Sequence, residues 1–182
     1  MLNVLAKNVD ALRLSTYFYK DRNGPIEFGP IWDFDRSMNS TDGRDDNPTT
    51  WNGTGDGTDF FNYPWWGRLF DDPDFMQLYR DRWHEFRQGP LSTTNIRNVI
   101  DTMSGEIQEA QPRDSAKWGR ISASGWRHEI NNLKGWLTTR AGWMDSQFRR
   151  PPSFSPSPGP ITPGFQFTLT GGSGTTYYTL DG

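Results

Sequence analysis

A chain of 182 residues with a net charge of −3, a mean hydropathy of −0.81 and 33% hydrophobic residues has the length of one domain or slightly more, and nine Trp with twelve Phe can fill a core. No window approaches 18 apolar residues, which excludes membrane insertion through a helix, and the mild acidity argues against a dedicated nucleic-acid binder. With no cysteine there is neither a disulfide framework nor a thiolate metal site.

Leu2, Leu5, Ala6 and Val9 recur at helical spacing and predict a short helix that ends just before Asp10. Residues 13–21 then alternate, with bulky side chains on both faces, and aromatic and β-branched residues favour a strand. Asn23 and Gly24 supply positive φ and give a strong hairpin signal. The return strand covers residues 26–32, with Pro30 marking a strand end or an edge. A hairpin brings its two ends together, so Asp10 on one side can converge with Asp33 and Asp35 on the other. Convergent carboxylates with few nearby bases suit a divalent cation, and Mg²⁺ is held by one or two carboxylates plus phosphate oxygens.

Residues 40–62 are rich in Gly, Asp, Asn and Thr and read as a long loop. They do not fit the calcium-loop pattern. The expectation is a flexible flap beside the second acidic segment, where a protein substrate could be engaged, or a solvated insertion. Trp65 and Trp66 read as core rather than as a sugar-stacking platform. Asp72 and Pro73 open a helix with Phe75, Leu78, Tyr79, Trp83 and Phe86 at helical spacing, ended by Gly89 and Pro90. A second helix starts at Ser92 or Thr93 and carries Ile96, Val99, Ile100, Met103 and Ile107. Residues 110–125 read as a polar connection. The last helix is predicted over 126–148, with Ile130, Leu133, Leu137, Ala141, Met144 and Phe148 on one side. His84 and His128 lack further ligands and do not make a zinc site. These helices form a lobe that supports the hairpin. After Arg150 the composition turns to Pro and Ser, a stiff linker over 150–160. Residues 161–182 then alternate, turn and resume as a β-hairpin, expected to be poorly packed.

The stretch KNVDALRLSTYFYKDRNGPIEFGPIWDFDRSMN (7–39), with YPWWGRLFDDPDF (63–75), resembles the spore coat protein H (CotH) family of atypical protein kinases, a likeness that extends over residues 1–149. The tail ITPGFQFTLTGGSGTTYYTLDG resembles the start of the β-sandwich module at the C-terminus of chitobiases and hexosaminidases. The resemblance implies an α+β, incomplete atypical protein-kinase-like fold in which a carboxylate-bearing hairpin packs on a helical lobe. It implies that ATP and Mg²⁺ are used to phosphorylate a Ser or Thr hydroxyl on a protein. Asp10 would be the catalytic carboxylate and Asp33 the metal-binding one, with Asp35, Asn8 and Ser15 as secondary or outer ligands. Many members carry an asparagine where this chain has Ser15 and Thr16, and Asn8 and Asn39 are nearby amides that could substitute.

Neither G-x-x-x-x-G-K-[ST] nor G-x-G-x-x-G occurs, and Lys7 and Lys20 do not follow a glycine-rich loop. No signal peptide is visible at Met1, and both ends read as cut. The expectation is a fragment whose nucleotide lobe lies upstream, inactive alone, from a parent protein exported by a bacterium, since such β-sandwich modules occur in exported proteins. The alternative is a non-catalytic extracellular surface or carbohydrate-binding module, motivated by the Trp content and the tail. The oligomeric state is not legible in the sequence.

Overall fold

The computed structural model describes residues 1–52, 63, 66–119, 121–155 and 159–179. In chain order it forms α1 (Leu2–Ala6), β1 (Phe18–Lys20), β2 (Ile26–Phe28), α2 (Trp66–Phe70), α3 (Pro73–Arg87), α4 (Thr93–Ile107), α5 (Ala110–Trp118), α6 (Ala123–Gln147), β3 (Ser153–Ser155) and β4 (Thr168–Thr170). This mix of helices with two small antiparallel sheets is consistent with an α+β chain.

The apolar stripes of α3, α4 and α6 meet in one core. Trp83 is fully buried at its centre, among Tyr79, Ile96, Ile100, Trp136, Leu137, Ala141, Met144 and Phe148, and α1 adds Val4 and Leu5. Each large apolar side chain buried this way contributes roughly 1.5–3 kcal/mol. On α4 the sequence stripe is longer than the surface that covers it, and Val99, Met103 and Ile107 remain exposed. Asp145 of α6 accepts bonds from Trp83 Nε1 (2.9 Å) and from Arg87 Nε (3.0 Å) and Nη2 (2.9 Å), which ties α3 to α6.

Local capping sets the helix starts. The Asp72 carboxylate accepts from the amides of Asp74 and Phe75, and Pro73 takes the first helical position. Ser92 caps α4 through Asn95 N, and Ser122 caps α6 through Gly125 N, so α6 begins three residues earlier than its apolar stripe predicts. The polar connection expected over 110–125 contains a helix instead. α5 has no wide apolar face, but its Ala, Gln, Arg and Lys residues favour helix, and Gly119 closes it at φ +64°. The Gln111 side chain is buried and donates to Ile121 O.

Residues 40–52 are not the loose flap their composition suggests. Arg140 of α6 is fully buried and donates to the carbonyls of Pro48 (3.0 Å), Thr50 (2.6 Å) and Val4 (2.8 Å). Its guanidinium lies 5.4 Å from the ring centre of Trp51 and 5.0 Å from that of Trp143. Trp136 Nε1 donates to Asp46 O, and Lys7 Nζ donates to Asn47 O and to Thr50 Oγ1. The buried Asp45 carboxylate accepts from both the amide and the hydroxyl of Ser40. A polar segment without an apolar stripe is fixed here by bonds from buried cations to its backbone. Burial lowers the Lys7 ammonium to about 8, with Arg140 adding to the shift, and lowers the Arg140 guanidinium to about 10. The remaining loop positions, 53–62, lie outside the described residues, as does Trp65.

Past α6 the chain contributes strand where a linker is expected. Ser153 pairs with Thr170, Phe154 with Leu169 and Ser155 with Thr168. The partner of the Thr168–Thr170 strand is thus the Pro/Ser-rich segment, and residues 177–179 carry no strand. Leu180 lies outside the described residues.

Candidate functional site

The hairpin turns around Asn23 and Gly24, but neither residue takes the positive φ expected of it, and five residues, 21–25, connect the strands. Gly24 N bonds Asp21 O to close the turn, and the strands register Phe18 with Phe28, Tyr19 with Glu27 and Lys20 with Ile26. Lys20 Nζ reaches Asp21 O and Gly24 O over the turn, and Tyr19 donates its hydroxyl proton to Glu27 Oε2. Each strand is three residues long, shorter than the alternation predicts. The chain turns between Asp10 and Leu14 (Leu14 N to Asp10 O, 2.8 Å), and Ser15 takes a left-handed φ of 40°, so the ladder cannot begin earlier. Phe28 packs on Phe18 at 5.7 Å and on the buried Trp66 at 4.9 Å between ring centres, which seats the hairpin on α2.

The segments on either side of the hairpin lie against each other. Val9 N donates to Arg36 O (3.3 Å) and Met38 N to Ala6 O (3.0 Å). Across this seam the buried Asn8 donates Nδ2 to Asp33 O at 2.8 Å, and Ser15 Oγ donates to Asp33 Oδ2 at 2.9 Å. Asp33 is therefore gripped by its backbone and its carboxylate at once. Lys7, Leu12, Ser15, Asp33, Met38 and Asn39 all have positive φ, and all lie in these two segments. Non-glycine residues held this way cost about 1–3 kcal/mol each and persist where the surroundings over-determine them.

All five residues singled out in the sequence, Asn8, Asp10, Ser15, Asp33 and Asp35, thus lie on these two abutting segments. Asp35 is exposed and lines a polar cleft of about 330 Å³ with Arg36, Ser40, Thr41 and Asp42. Asn39 is exposed, and no hydrogen bond joins it to Asp33 among the described residues. A second cleft, about 390 Å³, opens on the Ser15 side with Tyr17, Phe28, Trp32 and Trp66 among its walls.

Asp10 has partners that the sequence did not suggest. Its Oδ1 accepts from Arg44 Nη2 at 3.1 Å and from Arg13 Nη2 at 3.4 Å, and its Oδ2 faces Arg36 Nε at 3.6 Å. Asp42 in turn binds Arg44 through both Nε and Nη2, and accepts from Arg36 Nη1 at 2.7 Å. The hydrogen bond from Arg44, assisted by its charge and by Arg36, holds the Asp42 carboxyl down to about 2. Arg36, Asp42 and Arg44 carried no sequence signal because they sit in a polar stretch without motif or period.

No group of three or more Asp, Glu or His side chains forms a metal cage among the described residues. The site offers instead the Asp33 carboxylate, the Ser15 hydroxyl and Asn8 Oδ1, a buried amide oxygen with no hydrogen-bond partner. These are hard oxygen donors few in number, a set that fits Mg²⁺, which keeps most of its shell as water or phosphate oxygen. His84 bonds Arg149 O and His128 is exposed, so neither joins the site. No helix among the described residues is long and apolar enough to cross a membrane.

A family model described as CotH kinase protein matches residues 1–144. Neither the curated proteins nor the solved structures give a match.

Proposed function

The chain belongs to the CotH kinase family, and on that premise we propose that residues 1–149 carry the acceptor and metal side of an ATP-dependent protein kinase domain of atypical, kinase-like architecture. The reaction is transfer of the ATP γ-phosphoryl group to a Ser or Thr hydroxyl of a protein. The observation that carries this reading is the grip of Asn8 and Ser15 on Asp33, across the seam from the segment bearing Asp10.

Asp33, with the Ser15 hydroxyl and Asn8 Oδ1, would hold Mg²⁺, and Asp35 would stand as an outer ligand. A bound Mg²⁺ supplies neutralisation of charge on the β- and γ-phosphates. Asp10 orients the acceptor hydroxyl. As that oxygen bonds to the γ-phosphorus and the bond to the β-phosphate oxygen breaks, the hydroxyl proton passes to Asp10. Positioning and charge neutralisation supply most of the acceleration in such transfers. The aromatic-walled cleft beside Ser15 is the side suited to a nucleotide base, and the polar cleft beside Asp35 is suited to the acceptor chain. The likeness of the tail to chitobiase-type modules supports an exported protein. The carbohydrate-binding alternative draws no support from Trp66, which is buried against Phe28.

The test is transfer of labelled γ-phosphate from ATP to a serine-containing acceptor protein, measured with the full-length protein and with this chain alone. Asp10→Asn and Asp33→Ala should each abolish transfer by the full-length protein. The isolated chain, lacking a glycine-rich phosphate cradle, should give none. Transfer that survives both substitutions refutes the reading.

A further inference from the structure

The two oxygens of Asp10 are not equivalent, and the difference has a mechanical meaning. Oδ1 takes the 3.1 Å bond from Arg44 and a longer one from Arg13, whereas Oδ2 faces Arg36 Nε at 3.6 Å, beyond a direct hydrogen bond. The Arg44 side chain is 17% exposed, and Asp42, which holds it by two nitrogens, is 11% exposed. Arg36 is 51% exposed and already has a better carboxylate in Asp42, at 2.7 Å.

We infer that Asp42 and Arg44 form a positioning clamp that aims Asp10 through Oδ1, while Arg36 is an exchangeable latch over Oδ2, the oxygen left for the acceptor hydroxyl. This rests on the reading of Asp10 as the catalytic carboxylate. A hydroxyl arriving at Oδ2 displaces only a long ion pair to an exposed arginine, a weak interaction, and Arg36 keeps its bond to Asp42. Arg44 stays in place, because Asp42 holds it in a fork and because its loop is anchored to α6 through Arg140 and Trp136. The clamp therefore refers the aim of Asp10 to the helical core rather than to a floating loop.

The clamp and the latch predict opposite kinetic signs. In the full-length protein Arg44→Gln should lower kcat by ~10- to 100-fold with the KM for ATP within about twofold, since misplacement of order 1 Å at a reacting group costs this much. Arg44→Lys should recover only part, because an ammonium lacks the fork that binds both carboxylates. Arg36→Gln should lower the KM for the acceptor, since nothing then competes for Oδ2. Equal losses in the Arg36 and Arg44 variants, or an unchanged kcat in Arg44→Gln, overturn the proposal. A second arm needs no activity. In ¹⁵N spectra of this chain the Arg44 Nε–H resonance should move on Asp10→Asn and on Asp42→Asn, and stay put on Asp33→Ala. An Arg44 signal indifferent to Asp10→Asn overturns the clamp even where no transfer is seen. Activity that survives Asp10→Asn while the Arg44 signal moves refutes the kinase reading and leaves the arginine bridge standing.

Discussion

Replacing Arg140 by Met should be among the most damaging single changes in this chain. The guanidinium is fully buried; its Nη1 and Nη2 donate to three backbone carbonyls, Pro48 O, Thr50 O and Val4 O, at 3.0, 2.6 and 2.8 Å, while Nε makes no hydrogen bond among the described residues. Hydrogen bonds from a charged donor are worth about 1.5–3 kcal/mol each, and carbonyls left buried without a donor carry their full desolvation cost. The faces of Trp51 and Trp143, at 5.4 and 5.0 Å, add about 0.5–2 kcal/mol each. Against this stands the burial of the charge itself, several kcal/mol, the same opposition that lowers the guanidinium to about 10. The net loss on Arg140→Met should be ~3–5 kcal/mol, as when one partner of a buried polar pair is removed. Methionine matches much of the volume, so the loss measures polar satisfaction rather than a cavity. Urea unfolding followed by tryptophan fluorescence and circular dichroism gives the value from the midpoint and slope. The exposed Arg127→Met is the control and should cost less than about 0.5 kcal/mol. A loss below about 1 kcal/mol in Arg140→Met would refute the reasoning, because the three carbonyls would then be finding water.

Lys7 titrates near 8 in the folded chain, below its usual 10.5, so between these values the unfolded chain binds more protons and stability rises with pH. The stability of the wild type relative to Lys7→Met should therefore climb from pH 8 to pH 10, and a flat difference in urea melts across that range contradicts the buried position of the amine. Asp42 is displaced the other way, to about 2 from 3.8. Its contribution is complete above pH 4 and fades as pH falls towards 2, so the gap between wild type and Asp42→Asn should close over that interval in acid titrations read by circular dichroism. Ser15→Ala should leave the midpoint of urea unfolding nearly unchanged, because its bond to Asp33 is exposed, yet weaken Mg²⁺-nucleotide binding by the full-length protein in calorimetry. Equal affinity in the two proteins removes Ser15 from the ligand set. Asp145→Ala strips Trp83 Nε1 of its acceptor and Arg87 of its carboxylate partner and should cost ~2–4 kcal/mol in the same unfolding assay; a cost under about 0.5 kcal/mol shows that α3 and α6 are held by apolar packing alone.

The sequence by itself determined what depends on near neighbours along the chain. Asn23 and Gly24 marked where the chain turns, though not by the positive φ their pairing suggests, Asp72 and Pro73 set the start of α3, and the periodic apolar residues of α3 and α6 the faces that meet around Trp83. It also pointed to Asn8, Asp10, Ser15 and Asp33, because they lie in a run whose order resembles a known family. Tertiary structure alone decided which polar side chains hold the site in shape. Arg140 reaches carbonyls some ninety residues away, Arg44 joins Asp10 across 34 positions, and the Pro/Ser-rich segment at 153–155 becomes a strand only because Thr168–Thr170 comes to lie beside it. Helical and strand periods record which face of an element avoids water, and capping motifs record bonds within a turn or two. A guanidinium bonded to a distant carbonyl or carboxylate leaves neither mark, since the acceptor is created by the fold that brings it there.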